Sequence, residues 1–577
     1  VLKLFKYLKP YAIPVVAVIV LVFFQSLGDL YLPTLMSDII NHGITNGDTD
    51  YILRLGGLML LVSLGGAVCA ILASYLSSRA GVGFSEILRS RIFTHISRFS
   101  LHEFDKLTAP SLITRTTNDV TQIQMVVIII MRMVISAPIM CVGGIIMAVS
   151  KDKGLSWVIA FVIPILVGVI LLIASKGFPL FKSIQKKVDR INLVLREGLT
   201  GIRVIRAFDR TEDERRRFHD ANTDLMKASV QVNQLMAFMM PVLMLIMNLT
   251  TVAVIWFGSV RVNRGTSNVG DMMAFLQYAM QILFSLLMAS IMFIMIPRAE
   301  ASAERINEVL ETVPEIEDAP DAPDASGHPP EAGLRGTVEF RDVTFRYHGA
   351  EEPAIRNISF TARPGEVTAV IGSTGAGKST LINLIPRFYD TESGSVLVNG
   401  RDVRKWKQED LRNLIGFVPQ KAMLFSGTIS QNLKYGKEDA SEEDLREAAE
   451  VAQASEFIAA MKDGFDSVIA QGGTNVSGGQ KQRMAIARAL VRNPDIYVFD
   501  DSFSALDFKT DARLRAALRK ATAESTVIIV GQRVSTIMDA DRIIVLEEGR
   551  MVGMGTHKEL YKTNDIYREI VSSQLSE

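Results

Sequence analysis

Six long apolar stretches fill the first half of the chain, near residues 12–36, 52–77, 122–149, 155–176, 235–258 and 272–297. Each approaches or exceeds the ~20 residues that carry a helix across a bilayer. None shows the polar face that a helix half in water needs, so the pattern predicts six transmembrane helices. The links between them alternate in length. The first and second spans are separated by about 15 residues, with Asp38, Asp48 and Asp50 and no Lys or Arg. Lys151–Gly154 joins the third to the fourth, and Arg261–Gly270 the fifth to the sixth. The two remaining links are long, about 44 and about 58 residues, and read as charged helix. They carry Arg79, Arg89, Arg91, Arg98, Lys106 and Arg115, then Lys186, Lys187, Arg196, Arg203 and Arg206. With Lys3, Lys6 and Lys9, this bias puts the N-terminus and both long links in the cytoplasm. Lys151, Lys153, Arg261 and Arg264 run against it. The spans are expected to continue ~25 residues beyond the bilayer, about 37 Å. They would form stalks that end in turns near Ala109–Asp119 and Leu199–Phe208.

The texture changes after residue 310. Residues 311–336 hold Pro314, Pro320, Pro323, Pro329 and Pro330 among Glu315, Glu317, Asp318, Asp321, Asp324 and Glu331, with no Lys or Arg until Arg335. Such a segment cannot build a core and reads as an extended, solvated connector. From Thr337 short strands and turns begin, as in Val338–Tyr347. The expected division is a transmembrane domain 1–310, an acidic Pro-rich linker 311–336, and an α/β domain 337–577.

Three motifs carry the chemistry of that last domain. After the apolar strand Val367–Ile371 comes Gly372-Ser373-Thr374-Gly375-Ala376-Gly377-Lys378-Ser379-Thr380, followed by a helix Lys378–Ile385. Backbone N–H groups of such a turn hold phosphate oxygens, Lys378 reaches the β- and γ-phosphates, and the Ser379 hydroxyl ligates Mg2+. The second motif is Ser477-Gly478-Gly479-Gln480, which opens a helix Gln480–Val491 and offers bare N–H groups to an anion. The third is the strand Ile496–Asp500, ending in Asp500 and Asp501, with Asp500 at the Mg2+ carboxylate position. ATP and Mg2+ are therefore the expected cofactors.

These motifs, in this order, resemble those of the ATP-binding-cassette (ABC) ATPases. With the six spans ahead of them, the whole chain resembles an ABC exporter half-transporter. Phe104-Asp-Lys106 and Leu112–Val120 are softer marks of the same likeness. The resemblance implies further roles. Tyr347 would stack on adenine. Gln420 would touch Mg2+ and the membrane-domain turns. Asp507, closing Ser504-Ala-Leu-Asp507, would contact the opposite subunit. Family ATPase domains pair head to tail, so Ser477–Gln480 would close over the partner's ATP.

Two positions depart from the family pattern. The residue after the Mg2+ carboxylate is normally Glu and here is Asp501; the switch residue is normally His and here is Gln532. Asp is one methylene shorter, and about 1 Å of misplacement can cost roughly 100-fold in rate. Gln donates a hydrogen bond to a γ-phosphate but cannot carry the proton or positive charge that His can. An altered catalytic pair beside an intact signature implies a site that binds ATP and hydrolyses it poorly. It also implies a different partner chain, as in heterodimeric bacterial multidrug exporters, which the chain resembles.

Composition narrows the substrate only broadly. Of 577 residues, 48% are hydrophobic and the mean hydropathy is +0.24. Net charge is +0, which gives no electrostatic case for nucleic acid. Cys69 and Cys141 lie in apolar runs and read as small buried hydrophobes. The first apolar run is too long for a cleavable signal peptide. Methionine is dense in the fifth and sixth spans, from Met236 to Met295, and thioethers suit varied apolar shapes. Asn248, Gln277 and Gln281 should face the interior or a partner helix, and Arg132 and Asp29 a pathway or a packing contact. The expected function is ATP-driven export of small amphipathic or hydrophobic compounds across the cytoplasmic membrane, with the ATPase domain in the cytoplasm. A lipid or peptide translocator of the same fold and a regulatory ATP-binding membrane subunit are the alternatives.

Overall fold

The computed structural model describes residues 2–318 and 333–575, which fall into two compact units. One comprises Val1–Ser97 and Pro110–Thr312, the other Arg98–Ala109 and Val313–Glu577. Of the connector, Pro320, Pro323, Pro329, Pro330, Asp321, Asp324 and Glu331 fall outside the described residues.

The first unit is all helix. Its six long helices are α1 (Ala12–Asp38), α2 (Thr49–Ile96), α3 (Val120–Lys151), α4 (Ser156–Thr200), α5 (Thr211–Asn263) and α6 (Val269–Glu311). All six are long and apolar enough to cross a membrane. Leu60, Leu61 and Leu64 on α2 are exposed, as lipid-facing side chains should be. Leu30, Ala148, Phe275 and Tyr278 pack into a buried cluster where α1, α3 and α6 meet. Tyr278 there donates to the Leu30 carbonyl at 2.8 Å.

Two of the four basic residues of the short links, Lys151 and Arg261, are ion-paired. Lys151 lies 3.5 Å from Asp38 and 3.4 Å from Asp271, and Arg261 lies 3.1 Å from Asp152. They therefore weigh little against the charge bias of the long links. At the other end of the bundle, a π-helical turn Arg115–Asp119 precedes α3. Its buried Asp119 accepts from Ser302 (3.0 Å) and from Arg305 (2.8 and 2.5 Å) on α6. Arg115 donates to the Arg305 carbonyl at 2.9 Å. Of the polar residues of Leu112–Val120, Arg115 and Asp119 serve this clamp, while Thr114, Thr116 and Thr117 donate to carbonyls one turn back in their own helix.

The stalk turns are only partly where the sequence put them. Gly201 and the short helix Ile202–Ala207, closed by Asp209 at φ +52°, fall within the expected second turn. The first turn lies earlier than Ala109–Asp119, which is helical. The chain breaks after Ile96, a capping box between Ser100 and Glu103 starts a short helix Leu101–Leu107, and Thr108 at φ +57° ends it.

In the second unit, the described start of the connector is docked rather than solvated. Pro314 and Ile316 are buried. The Glu315 N–H donates to Glu103, and Asp318 accepts from the Gln408 backbone and side chain at 3.0 Å. The strands are β1 (Val338–Phe345), β2 (Ile355–Ala362), β3 (Val367–Gly372), β4 (Ser393–Val398), β5 (Arg401–Asp402), β6 (Ile415–Val418), β7 (Ile496–Asp500), β8 (Thr526–Val530), β9 (Arg542–Glu547) and β10 (Arg550–Gly555). A four-stranded antiparallel sheet runs β2-β1-β4-β5, and a six-stranded sheet runs β10-β9-β3-β8-β7-β6. The six-stranded sheet is parallel except at its edge pair β9/β10. Every residue of β7 and β8 is buried, which explains why they are apolar except for Asp500 and Thr526 at their ends.

Candidate functional site

Register brings the motifs together. Val370 on β3 lies beside Val530 on β8, which lies beside Asp500 on β7. The C-terminal ends of three parallel strands therefore share one edge, the place where open α/β sheets hold ligands. The Gly531 N–H donates to Val370 and the Asp501 N–H to Val530, which fixes the loops as they leave.

The phosphate loop rises from β3 into the helix α7 (Lys378–Asn383). Gly375 and Gly377 have φ of +86° and +91°. A Cβ on Gly377 would lie 2.6 Å from the Ala354 carbonyl, and one on Gly372 2.1 Å from the Leu546 carbonyl, so the loop's path requires glycine at both. A Cβ on Gly375 would meet nothing within 4 Å; that is the open side of the cradle. Lys378 Nζ donates to the carbonyls of Gly372 (2.8 Å) and Ser373 (2.7 Å). Burial pulls the Lys378 pKa down, against Asp501 and Asp500, which push it up. A buried cation among backbone N–H groups fits a polyphosphate.

Ser379 Oγ donates to Asp500 Oδ1 at 3.1 Å. Burial raises the Asp500 pKa, the neighbouring Asp501 adds to it, and Ser379 and Lys378 oppose. Gln420 Nε2 lies 3.4 Å from Asp501 Oδ2. A hydroxyl, a buried carboxylate and an amide are hard oxygen donors of the kind Mg2+ takes, with phosphate and water as its other ligands. Among the described residues no group of three or more His, Cys, Asp or Glu could hold a metal by itself. Ser379, Asp500 and Gln420 are thus the side chains that would hold Mg2+, and the ion would neutralise phosphate charge.

Asp501 is buried and sits in the left-handed region at φ +45°, a conformation Asp tolerates. Its carbonyl accepts from Ser504 Oγ at 2.9 Å, which holds the turn into Leu506. The Gln532 side chain is exposed and makes no hydrogen bond among the described residues. Its carbonyl accepts from Gln574 Nε2 at 2.8 Å, while Gln574 Oε1 accepts from the Val534 N–H at 2.7 Å. One glutamine on the helix Asp565–Leu575 therefore pins both sides of the switch position. No motif pointed to Gln574, because its contacts lie about forty residues away in sequence.

Tyr347 follows β1. Its hydroxyl bonds Thr380 Oγ1 at 3.0 Å, and its ring packs edge-on against Phe345 and Tyr389. The phenol is thereby fixed beside the phosphate loop with its ring 37% exposed. Tyr389 donates to Asp105 at 3.5 Å; burial, then Asp105, pushes its pKa up to about 12.

The signature lies apart from this cluster. Helix α8 (Gly478–Arg492) starts with a capping box: Ser477 Oγ accepts from the Gln480 N–H (3.3 Å) and Gln480 Oε1 from the Ser477 N–H (2.8 Å). Gly478 is exposed and a Cβ there would meet nothing within 4 Å, whereas one on Gly479 would lie 3.2 Å from the Ala505 carbonyl. Among the described residues no hydrogen bond joins Ser477–Gln480 to the phosphate loop. Asp507 caps helix α9 (Phe508–Ala521), accepting from the Thr510 N–H at 2.9 Å, and that bond lowers its pKa.

Residues 15–286 match the ABC transporter transmembrane region, and 355–504 match the ABC transporter family. An uncharacterized ABC transporter ATP-binding protein of Mycobacterium tuberculosis is 46% identical over 99% of this chain and 97% of its own length. An ATP-dependent lipid A-core flippase of Syntrophus aciditrophicus is 31% identical over 90% and 85% respectively. A solved ATP-bound bacterial Atm1-family ABC exporter superposes with a TM-score of 0.80 at 26% identity, covering 98% of both chains. With a six-helix membrane region fused to an ATP-binding α/β unit, the chain belongs to the ABC transporter family, as an exporter half-transporter whose transport is coupled to ATP hydrolysis.

Proposed function

We propose that this half-transporter works as one subunit of a heterodimer that exports small amphipathic or hydrophobic compounds across the cytoplasmic membrane. Its transmembrane domain would span residues 1–310, its linker 311–336, and its cytoplasmic ATPase domain 337–577. Gly372–Thr380, Tyr347 and Gln420 would bind one ATP, with Mg2+ on Ser379, Asp500 and Gln420. With Asp501 and Gln532 in the catalytic positions, that ATP would turn over poorly. Ser477–Gln480 would close over the partner's ATP, with Asp507 at the subunit contact.

The observation that carries this reading is the pairing of an intact phosphate loop and an intact, open signature with Asp501 and Gln532. Gln532 supports it further, since an amide cannot carry the proton or positive charge that His can. The test is the ATPase rate of the purified chain alone against that of the complex it forms in its native membrane. Slow or absent turnover alone, with activity in the complex, is expected. Robust turnover by a pure homodimer would refute it. A second reading, lipid translocation by the same fold, draws support from the relative named as a lipid A-core flippase; uptake assays with labelled lipid and with dye separate the two.

A further inference from the structure

The segment after β8 is held by the helix Asp565–Leu575. Val534–Ile537 is a single helical turn, and its start leaves N–H groups without intrahelical partners. The residue in the capping position is Arg533, whose side chain has no acceptor atom and makes no capping bond. Its guanidinium lies over the Phe508 ring instead, 5.6 Å from the centroid. The acceptor comes from 40 residues away: Gln574 Oε1 takes the Val534 N–H at 2.7 Å. The other arm of the same amide, Nε2, donates to the Gln532 carbonyl at 2.8 Å. Only this orientation of the amide satisfies both groups, since its oxygen cannot face a carbonyl. Gln574 shares one face of its helix with Tyr567 and Val571, at i, i+4 and i+7. Those two pack into one buried cluster with Val534 and Ile537. The start of the helix is anchored as well. Asn564 accepts from the Tyr567 N–H at 2.8 Å and donates to the Val552 carbonyl at 2.9 Å.

We infer that Gln574 is a positioning residue for the recognition of the ATP γ-phosphate by Gln532. The inference rests on the nucleotide-site reading above and adds a residue to it. The Gln532 side chain makes no hydrogen bond among the described residues, so the backbone sets where it projects from. Upstream that backbone is tied to β3, where the Gly531 N–H donates to Val370. Downstream it is tied to the Gln574 amide. Without that amide the Gln532 carbonyl and the Val534 N–H must turn to other partners, and the segment turns with them. ADP has no γ-phosphate, so the loss falls on ATP and spares ADP. A contribution to folding alone would change both or neither.

The experiment uses the full-length chain with its co-purifying partner in lipid nanodiscs, kept on ice with Mg2+ so that turnover is slow. An azido-ATP probe is crosslinked to this chain and displaced by ATP or by ADP. One hydrogen bond to a phosphate is worth about tenfold in affinity. Gln574→Ala should therefore weaken displacement by ATP about tenfold and leave ADP unchanged, and Gln532→Ala should do the same. Because Gln574 acts through Gln532, the double variant should be no weaker than Gln532→Ala alone. Gln574→Glu supplies a pH signature. As a carboxylate it still accepts from Val534 but has no proton for the Gln532 carbonyl; protonated, it makes both bonds. Its ATP deficit relative to the unmodified chain should be present at about pH 8 and shrink towards about pH 5, as the acid protonates, while that of Gln574→Ala stays. Unchanged ATP displacement in Gln574→Ala, an equal loss of ATP and ADP, additive losses in the double variant, or a pH-independent deficit in Gln574→Glu would each overturn the assignment. Gln574→Glu keeps the Val534 bond and decides the matter if Gln574→Ala does not fold. If neither nucleotide displaces the probe from the unmodified chain, the nucleotide-site reading fails, and this assignment with it. If both displace it and the variants change nothing, this assignment alone fails.

Discussion

Gly478→Asp separates the two ATP sites most cleanly. In the head-to-tail arrangement proposed here, residue 478 faces the phosphates of the partner's ATP. A carboxylate about 4 Å from one phosphate charge, at an effective dielectric of about 20, is repelled by about 4 kcal/mol. That is about a thousandfold in rate or occupancy. The loss should not come from misfolding. A Cβ on Gly478 meets nothing within 4 Å, its backbone is not left-handed, and an acid in the first turn of α8 favours the helix. Ser477→Ala would be a poorer probe, since losing the cap costs about 1 kcal/mol by itself. The comparison is Asp501→Asn, which keeps the shape and the left-handed backbone. The assay is ATPase rate and substrate uptake by the full complex in inverted vesicles, with circular dichroism to check folding. Gly478→Asp should nearly abolish both activities, while Asp501→Asn lowers them only modestly. If Asp501→Asn proved as damaging, this chain's own site would be catalytic and the asymmetric assignment wrong.

Lys378→Ala should strongly reduce photolabelling of this chain by an ATP analogue, because it removes the cation at the phosphate loop; unchanged labelling would contradict the site. Tyr347→Ala should weaken nucleotide binding by about 1–3 kcal/mol through lost stacking, and Tyr347→Phe should restore most of it, as read by calorimetry. Asp119→Ala strands Ser302 and Arg305 and should destabilise the helical unit by about 2 kcal/mol, a figure reduced because Arg305 is 46% exposed; thermal unfolding checks it. The Asp500 pKa is raised above its ordinary 3.8, so ionising it opposes folding. Its contribution to stability falls as pH rises from 3.8 through the folded value and stays low above it. Asp500→Asn should therefore raise the melting temperature of the metal-free chain at neutral pH, and reduce the further rise that Mg2+ with ATP produces.

The ATPase core was legible because its signals are local. The strands Ile496–Asp500 and Thr526–Val530 lie where the apolar runs lie, since strands buried on both faces carry few polar positions, here only Asp500 and Thr526 at their ends. The first stalk turn was misplaced at Ala109–Asp119, although Ser100-Leu-His-Glu103 is a capping-box sequence that marks a helix start. The left-handed Thr108 that follows left no such mark. The docked connector was hidden for another reason. Its acids looked solvated by composition, yet Asp318 meets the Gln408 backbone, a partner 90 residues away. The partner of the Gln281 amide was equally invisible, because it is a carbonyl 252 residues distant. Side-chain types are written in sequence; which of their atoms remain unpaired is decided by packing.

The ion pairs of the short links bear on how the chain enters the membrane. With six spans, those three links must lie on one face of the bilayer. Helices leave the ribosome in order, so Asp38 has crossed before Lys151 arrives and is already there to receive it. Asp152 in turn precedes Arg261. Lys151 and Arg261, two of the four bases that must be translocated, thus each meet an acid delivered earlier, and Asp271 joins Lys151 only when the last helix is in place. Asp38→Asn should therefore leave the finished fold its second partner for Lys151, yet slow or misorient insertion of the third and fourth helices during synthesis.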